Sequence, residues 1–558
     1  MNWLFWQTPA VQEGDLLQAE LGFVILLSLA ALVAILVRRI RLPYTVALVL
    51  VGLLLSLFPG FVSIDLSAEL ILALLVPPLI FEATLNLSWP NLRRHLLPTL
   101  LLAVGGTLIA SFLIAGALRL MGATLLPDLR LPFTAAFAFG ALISATDPVA
   151  VIALFRTLGV PKRLALLMEG ESLFNDGVAI VLFSIALSTA ASLNAGDGAP
   201  FNLAAAAAEF GRVALGGLGV GVVLGFLVSS IVLKNVDEPL VETATTVALA
   251  FGAFILAEQL QVSGVLAVVA AGILVGNVGS ANTSPTTKLT LENFWEFAAF
   301  VVNSMVFLLI GVEADLSQLG ANLPLILAAV TAVLLSRAVV VYALSALSSR
   351  LDPHIAIPWR YRHVLFWGGL RGAISLALAQ SLSALLFEPE VVAKLRFMTF
   401  GVVLFTLVVQ GPTIGPLLRA LGLSQQPAAQ REQERRQAHL YAARAARREL
   451  DRLYRDGILS IEAWQAMADI YEGQLERYSH NLRDLLADFP ELEQAMVLQT
   501  RKELLRAERA ALGDAIRRGL ISEEIYRELI DETDHRSHAL DLIWANVSHD
   551  DDHRPEPS

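Results

Sequence analysis

Four oxygen-bearing side chains, Glu171, Ser172, Asn175 and Asp176, stand within six residues in the stretch ESLFNDG, with the apolar run VAIVLFSIAL directly after it. At about 100° per residue a helix would gather them within an arc of about 140°. Ser172 and Asp176 are then one turn apart, as are Glu171 and Asn175. One helix face presents two carboxylates, a hydroxyl and an amide. All are hard oxygen donors, suited to a small cation or a proton rather than to a soft metal. The chain has no cysteine, and no histidine stands among the four. Zinc and iron are therefore not expected there, and no cofactor is.

Other polar residues interrupt apolar runs in the same way. The stretch SATDPVAV places Thr146, Asp147 and Pro148 inside one run. Pro148 lacks a backbone donor and clashes with the preceding turn, so it is expected to break the helix and free carbonyls beside Asp147. In FWGGLRGAIS, Gly368, Gly369 and Gly372 flank Arg371, loosening the helix around a permanent charge. Glu82 lies in PPLIFEATLN. A charge at the bilayer centre costs about 2.5–3.5 kcal/mol on insertion scales, so each of these needs a partner, water or a function. Glu82, Asp147, Glu171 and Asp176 would repel one another if all were ionised, and Arg371 can neutralise one of them. Glu258 and Arg337 form a second tier. Glu258 is read as a helix-end residue reaching the outer interface, and Arg337 as pairing with a charge or a carbonyl. Asn303 and Ser304 are read as helix-packing polar residues, and Glu292 and Glu296 as lying near an inner mouth.

These residues must be positioned by membrane helices. The chain of 558 residues is 56% hydrophobic and 16% charged, with a mean hydropathy of +0.64, against about 25% charged in soluble proteins. At about 20 apolar residues per crossing, thirteen spans are expected. They centre near Leu29, Leu53, Leu75, Ile109, Ile143, Val178, Val220, Leu249, Val269, Val306, Leu334, Ile374 and Thr406. Lys and Arg concentrate after odd-numbered spans (Arg38, Arg39, Arg41; Arg93, Arg94; Arg156, Lys162, Arg163; Lys234; Lys288; Arg350, Arg360, Arg362). After even ones come fewer, Arg119, Arg130, Arg212, Lys394 and Arg396, together with the acidic Asp65, Asp128, Asp197, Glu313 and Asp315. By the positive-inside rule the N-terminus lies outside and the C-terminus in the cytoplasm. The N-terminus lacks the basic start of a cleaved signal peptide, so the first apolar run is expected to stay as a helix.

About half of all charged residues follow residue 424. That region reads as soluble helices rich in Ala, Arg and Glu. It contains a weak repeat, DGILSIEAW at 456–464 and RGLISEEIY at 518–526, in which Gly stops one helix and Ser caps the next. The expected organisation is an extracytoplasmic N-terminus at 1–18, a transmembrane domain at 19–422, a helical cytoplasmic domain at 423–548 and a disordered tail at 549–558.

SATDPVAV (144–151), EGESLFNDGVAIVLF (169–183), SGVLAVVAAGILVGN (263–277), FWEFAAFVVNSMVFLLIGVE (294–313) and FWGGLRGAISLALA (366–379) resemble, in order, the signature segments of the monovalent cation:proton antiporter-1 family. The resemblance covers about residues 20 to 422. It implies an all-α polytopic membrane protein with about 13 transmembrane helices, inverted repeats and two unwound crossing helices, the fifth and twelfth. It also implies a homodimer in the cell (inner) membrane. The implied activity is antiport of Na+, or of K+ or Li+, against H+. Asp176 would be the main cation- and proton-binding carboxylate, with Ser172, Asp147 and the Thr146 carbonyl as further ligands. Glu82 would act through a water. Asn175 would hold the broken helix, and Glu171 would pair with Arg371. The Asn-Asp pair resembles the electroneutral branch, in which cation and proton compete for one carboxylate.

The alternatives are a cation channel, an intramembrane protease and a non-transporting membrane sensor. A cation channel would need a selectivity loop such as TVGYG, which the chain lacks. An intramembrane protease could use Asp147 and Asp176 as a dyad, but their flanks are TDP and NDG, and HExxH is missing. Neither an enzyme nor a nucleic-acid binder is expected.

Overall fold

A computed structural model describes residues 13–40, 44–57, 71–194, 203–236, 238–279, 283, 285–312, 316–352, 355–383, 385–424, 428–526, 528–530, 532–533 and 536. Asp65, Asp197, Glu313, Asp315 and the 549–558 tail lie outside these residues. Every regular element among the described residues is helical. They divide into two compact units, one ending at Ser424 and one starting at Gln425.

The first unit holds α1 (Glu13–Ile40), α2 (Tyr44–Leu55) and α3 (Val76–Leu85). Then come α4 (Leu96–Thr124), α5 (Phe133–Ser144), α6 (Val149–Leu158) and α7 (Lys162–Asn194). α8 (Ala204–Asn235), α9 (Pro239–Gln259), α10 (Gly264–Leu274) and α11 (Pro285–Val312) follow. It closes with α12 (Leu323–Leu351), α13 (Trp359–Trp367), α14 (Ala373–Gln380) and α15 (Pro389–Ala420). α1 begins inside the segment assigned above to the N-terminal tail. Eight helical stretches among the described residues are long and apolar enough to cross a membrane.

Two hydrophobic clusters organise this unit. The larger packs α4, α5, α7, α12 and α15 together, with Phe139, Leu142, Val341 and Val403 fully buried. The smaller joins α3, α9, α10 and the start of α11 around Phe81 and Trp295, whose rings lie 4.5 Å apart. Small residues let helices approach closely where side-chain packing is the main attraction. A Cβ on Gly311 of α11 would stand 2.3 Å from the Val49 carbonyl of α2, and one on Gly52 of α2 would stand 2.2 Å from the Leu308 carbonyl. Tyr44 Oη and Ser304 Oγ join the same two helices at 2.7 Å. α11 is thereby fixed in depth against α2.

The second unit comprises α16 (Ala428–Arg455), α17 (Ile461–Asp488) and α18 (Pro490–Arg517). Gly457 and Gly519 have φ of +72° and +67°, the left-handed conformation that ends helices. Ser460 Oγ accepts from Ala463 N at 3.3 Å, and Ser522 Oγ from Ile525 N at 3.4 Å.

Candidate ion-binding site

The run around Ile143 is two helices, not one. α5 stops at Ser144, Ala145 takes an extended conformation (φ −56°, ψ 133°), and α6 restarts after Pro148. Proline has no N–H to give the helical ladder, and it pushes the residue before it, Asp147, out of the α region. The run around Ile374 breaks likewise: α13 ends at Trp367 and α14 begins after an extended Gly372.

The two breaks touch. Asp147 N donates to Leu370 O at 2.8 Å. A Cβ on Gly372 would lie 2.4 Å from Asp147 Oδ2, so only glycine lets the second break pass this close to the carboxylate.

Each break leaves backbone groups without helical partners, and buried orphans are costly. Arg371 Nη1 donates to Ser144 O and Ala145 O, both at 3.1 Å, at the end of α5. Ser375 Oγ donates to Leu142 O at 2.8 Å. Arg337 Nη2 donates to Leu365 O at 2.9 Å, near the end of α13. Arg371 N donates to Thr406 Oγ1 at 3.1 Å; Thr406 opens a π turn, Thr406–Gln410, inside α15. Both guanidinium groups thus sit at carbonyl-rich helix ends, where positive charge is favoured.

This corrects one assignment. Glu171, 1% exposed, is ion-paired with Arg337 of α12: Nη1 bonds Oε1, and Nη2 bonds Oε2 at 3.0 Å. Arg371 does not take that role. Its Nη1 instead serves the Ser144 and Ala145 carbonyls at the Pro148 break, a demand arising only once the two breaks meet. Arg337 does what either sequence option allowed, holding a charge and a carbonyl together.

The ESLFNDG face turns toward the first break. Asn175 Nδ2 donates to Thr146 Oγ1 at 2.6 Å, and Thr146 N donates to Asn175 Oδ1 at 3.3 Å. Ser172 Oγ donates to Thr146 O. Asp147 Oδ1 accepts from Val149 N, the first residue of α6, at 2.9 Å. Between these groups lies a cavity of about 80 Å³, lined by Thr146, Asp147, Ser172, Asp176, Asn303, Gly372 and Ser375, with Ile80, Leu173 and Ile374 among its apolar walls. At about 30 Å³ per water, it has room for a small ion with one or two waters. It lies where the two hydrophobic clusters meet, since Ile80 and Leu173 belong to one and Ala373 to the other.

Not every expected residue is brought in. Glu82 shares α3 with the cavity-lining Leu79, Ile80 and Ala83, but its own Oε1 accepts from Asn86 Nδ2 at 3.3 Å. Gly368 and Gly369 belong to the second break and not to the cavity wall; a Cβ on Gly369 would meet Arg337 Nε at 2.9 Å. Glu258 Oε1 accepts from Gly264 N at 3.1 Å, at the start of α10. Glu292 lies 3.9 Å from Lys288 Nζ, on an exposed face. Three contributors were missed: Asn303, Ser375 and Thr406. Asn303 had a signal, an amide in an apolar run. Ser375 and Thr406 had none, because hydroxyls in membrane helices usually bond their own backbone.

Residues 25–420 match the family model described as sodium/hydrogen exchanger, transmembrane. The chain is 38% identical over 516 residues to the low-affinity Na(+)/H(+) antiporter NhaS1 of Synechocystis sp., covering 91% of this chain and 95% of that protein. It is 38% identical over 491 residues to the Na(+)/H(+) antiporter ApNhaP of Aphanothece halophytica, covering 87% and 90%. The solved structure of the sodium proton antiporter MjNhaP1 from Methanocaldococcus jannaschii is similar in fold, with a TM-score of 0.59 at 21% identity, covering 74% of this chain and 100% of that one.

Proposed function

This chain belongs to the sodium/hydrogen exchanger family, and on that premise we propose that it exchanges Na+ for H+ across the cell membrane by alternating access. K+ and Li+ are the alternative cations. The observation that carries this is the cavity where the two helix breaks touch, lined by Asp147, Asp176, Ser172 and Thr146. Asp176 takes the cation or the proton. Asp147, Ser172 and the Thr146 carbonyl complete the ligand set, and Asn175 holds Thr146 in place. Glu82, one helix face away, contributes through water.

A charge balance supports one-for-one exchange. Glu171 and Arg337 cancel. Arg371 offsets one of the two cavity carboxylates, leaving one net negative charge. One monovalent cation or one proton neutralises it, and taking both would leave an uncompensated buried charge, which is costly. Each cycle therefore moves one of each. No covalent step is involved.

In this reading the eight long spans, four shorter apolar helices and the α13–α14 pair make thirteen crossings, with unwound fifth and twelfth spans. The N-terminus is extracytoplasmic, the C-terminal unit cytoplasmic and the assembly a homodimer. The test is proton flux in everted vesicles driven by imposed Na+, K+ or Li+ gradients. Wild type should respond to Na+, and Asp176→Asn should not. Exchange retained in Asp176→Asn would overturn the site.

A further inference from the structure

The cavity wall carries one carboxamide that the mechanism above does not use, Asn303 of α11. Its neighbour Ser304 behaves as a packing residue. Ser304 Oγ donates to Phe300 O at 2.5 Å and meets Tyr44 Oη. Asn303 does neither. Among the described residues it has no hydrogen-bond partner, while it lines the same small cavity as Asp147 and Asp176. The expectation that both residues serve helix packing holds for only one of them.

Asn303 is partly exposed rather than sealed into packing, so its amide is open to a ligand that enters the cavity it lines. The other neutral polar groups of the wall are engaged elsewhere. Ser172 serves Thr146 O, Thr146 is held by Asn175, and Ser375 serves Leu142 O. Asn303 alone brings an uncommitted oxygen and an uncommitted N–H₂ to the cavity, from a helix fixed in depth by the Gly52–Gly311 contact.

We propose that Asn303 is a further cation ligand that helps set ion selectivity. Its Oδ1 joins the carboxylates around a bound monovalent cation. A neutral carbonyl dipole adds a ligand without adding charge, and the number and field strength of such dipoles discriminate among alkali cations. The net charge of the site stays at minus one, as one-for-one exchange requires. A carboxylate at the same position would break that balance.

The inference rests on the cavity being the exchange site, so its test includes Asp176→Asn. Purified full-length protein in proteoliposomes is titrated with Na+ and Li+ across pH. Asn303→Ala should raise the apparent KM for Na+ about tenfold, the effect of losing one contact to a charge. Its Vmax should stay within about twofold, and its Li+/Na+ KM ratio should change. The nearly isosteric Asn303→Asp should keep a low KM but shift the pH profile and make exchange respond to membrane potential. It decides the case if Asn303→Ala does not accumulate. Wild-type KM, ion ratio and pH profile in these variants, with Asp176→Asn inactive, would overturn the assignment of Asn303 alone. A lower Vmax at unchanged KM and ion ratio would mark a packing residue and overturn it too. Exchange in Asp176→Asn would instead overturn the site itself.

Discussion

Arg337 Nη2 donates to Glu171 Oε2 at 3.0 Å, clamping α12 to α7. Both side chains are buried, 9% and 2% exposed. Removing one partner of such a pair strands a charge and costs about 3–5 kcal/mol. Glu171→Gln and Arg337→Met should each lower the unfolding midpoint of the detergent-purified protein sharply, and the double variant should recover part of the loss. Arg337→Lys should not rescue, because an ammonium cannot hold both carboxylate oxygens and Leu365 O. A cycle pairing Glu171 with Arg371 should show weaker coupling. Equal coupling to both arginines would contradict the observed pairing.

The breaks were legible because Pro148 and the Gly368–Gly372 cluster are local signals with local consequences. The carboxylates were legible because charge in an apolar run is rare. The partner of Glu171 was not. Two buried arginines were available, and the choice turns on where the freed carbonyls of α5 end up, a contact between residues 227 apart in sequence. Asn303 was visible but ambiguous, since amides also glue membrane helices together. Only its place on a shared cavity wall separates it from Ser304.

The contact between Gly372 and Asp147 gives a second prediction. A Cβ at 372 would sit 2.4 Å from Asp147 Oδ2 and 2.6 Å from Asp147 Cβ. The carboxylate cannot yield easily, because its other oxygen accepts from Val149 N and the backbone N–H of Asp147 is bonded to Leu370 O. Gly372→Ala should cut Na+-driven proton flux at least about tenfold, the scale expected when a small misplacement disturbs a site. Gly369→Ala meets its nearest atom, Arg337 Nε, at a longer 2.9 Å, and should cost less. Comparing initial rates of the two variants at matched membrane content checks the order. A larger loss in Gly369→Ala would mean that the second break, not Asp147, sets the spacing.

The C-terminal unit offers a pH-dependent prediction. Asp451 Oδ1 bonds Arg447 and accepts from Trp464 Nε1 at 3.0 Å. Chiefly the Arg447 hydrogen bond, and then that of Trp464, holds the Asp451 carboxyl below its ordinary value. The sign follows: the folded-state value is depressed, so the contribution to stability is present above the unfolded pKa and lost as pH falls through the folded one. Asp451→Asn should therefore differ from wild type in tryptophan fluorescence and thermal midpoint at neutral pH. The two should converge in acid, below the ordinary aspartate range. A difference that persists unchanged into acid would show that the contact does not depend on the carboxylate charge.

Competition at Asp176 gives the last prediction, and it concerns KM rather than Vmax. If one site holds either a cation or a proton, protons act as competitive inhibitors of the cation. Below the pKa of the site the apparent KM for Na+ should rise about tenfold per pH unit, because the fraction of empty, ionised site falls tenfold. Above that pKa it should level off. Vmax at saturating Na+ should change far less over the same range. Because one net charge is neutralised in either state, exchange in proteoliposomes should also be insensitive to an imposed potassium–valinomycin potential. Titrating initial rates against Na+ at several pH values, with and without that potential, measures both. A KM independent of pH, with Vmax carrying the whole pH dependence, would point to a titrating group outside the cavity and against competition at Asp176.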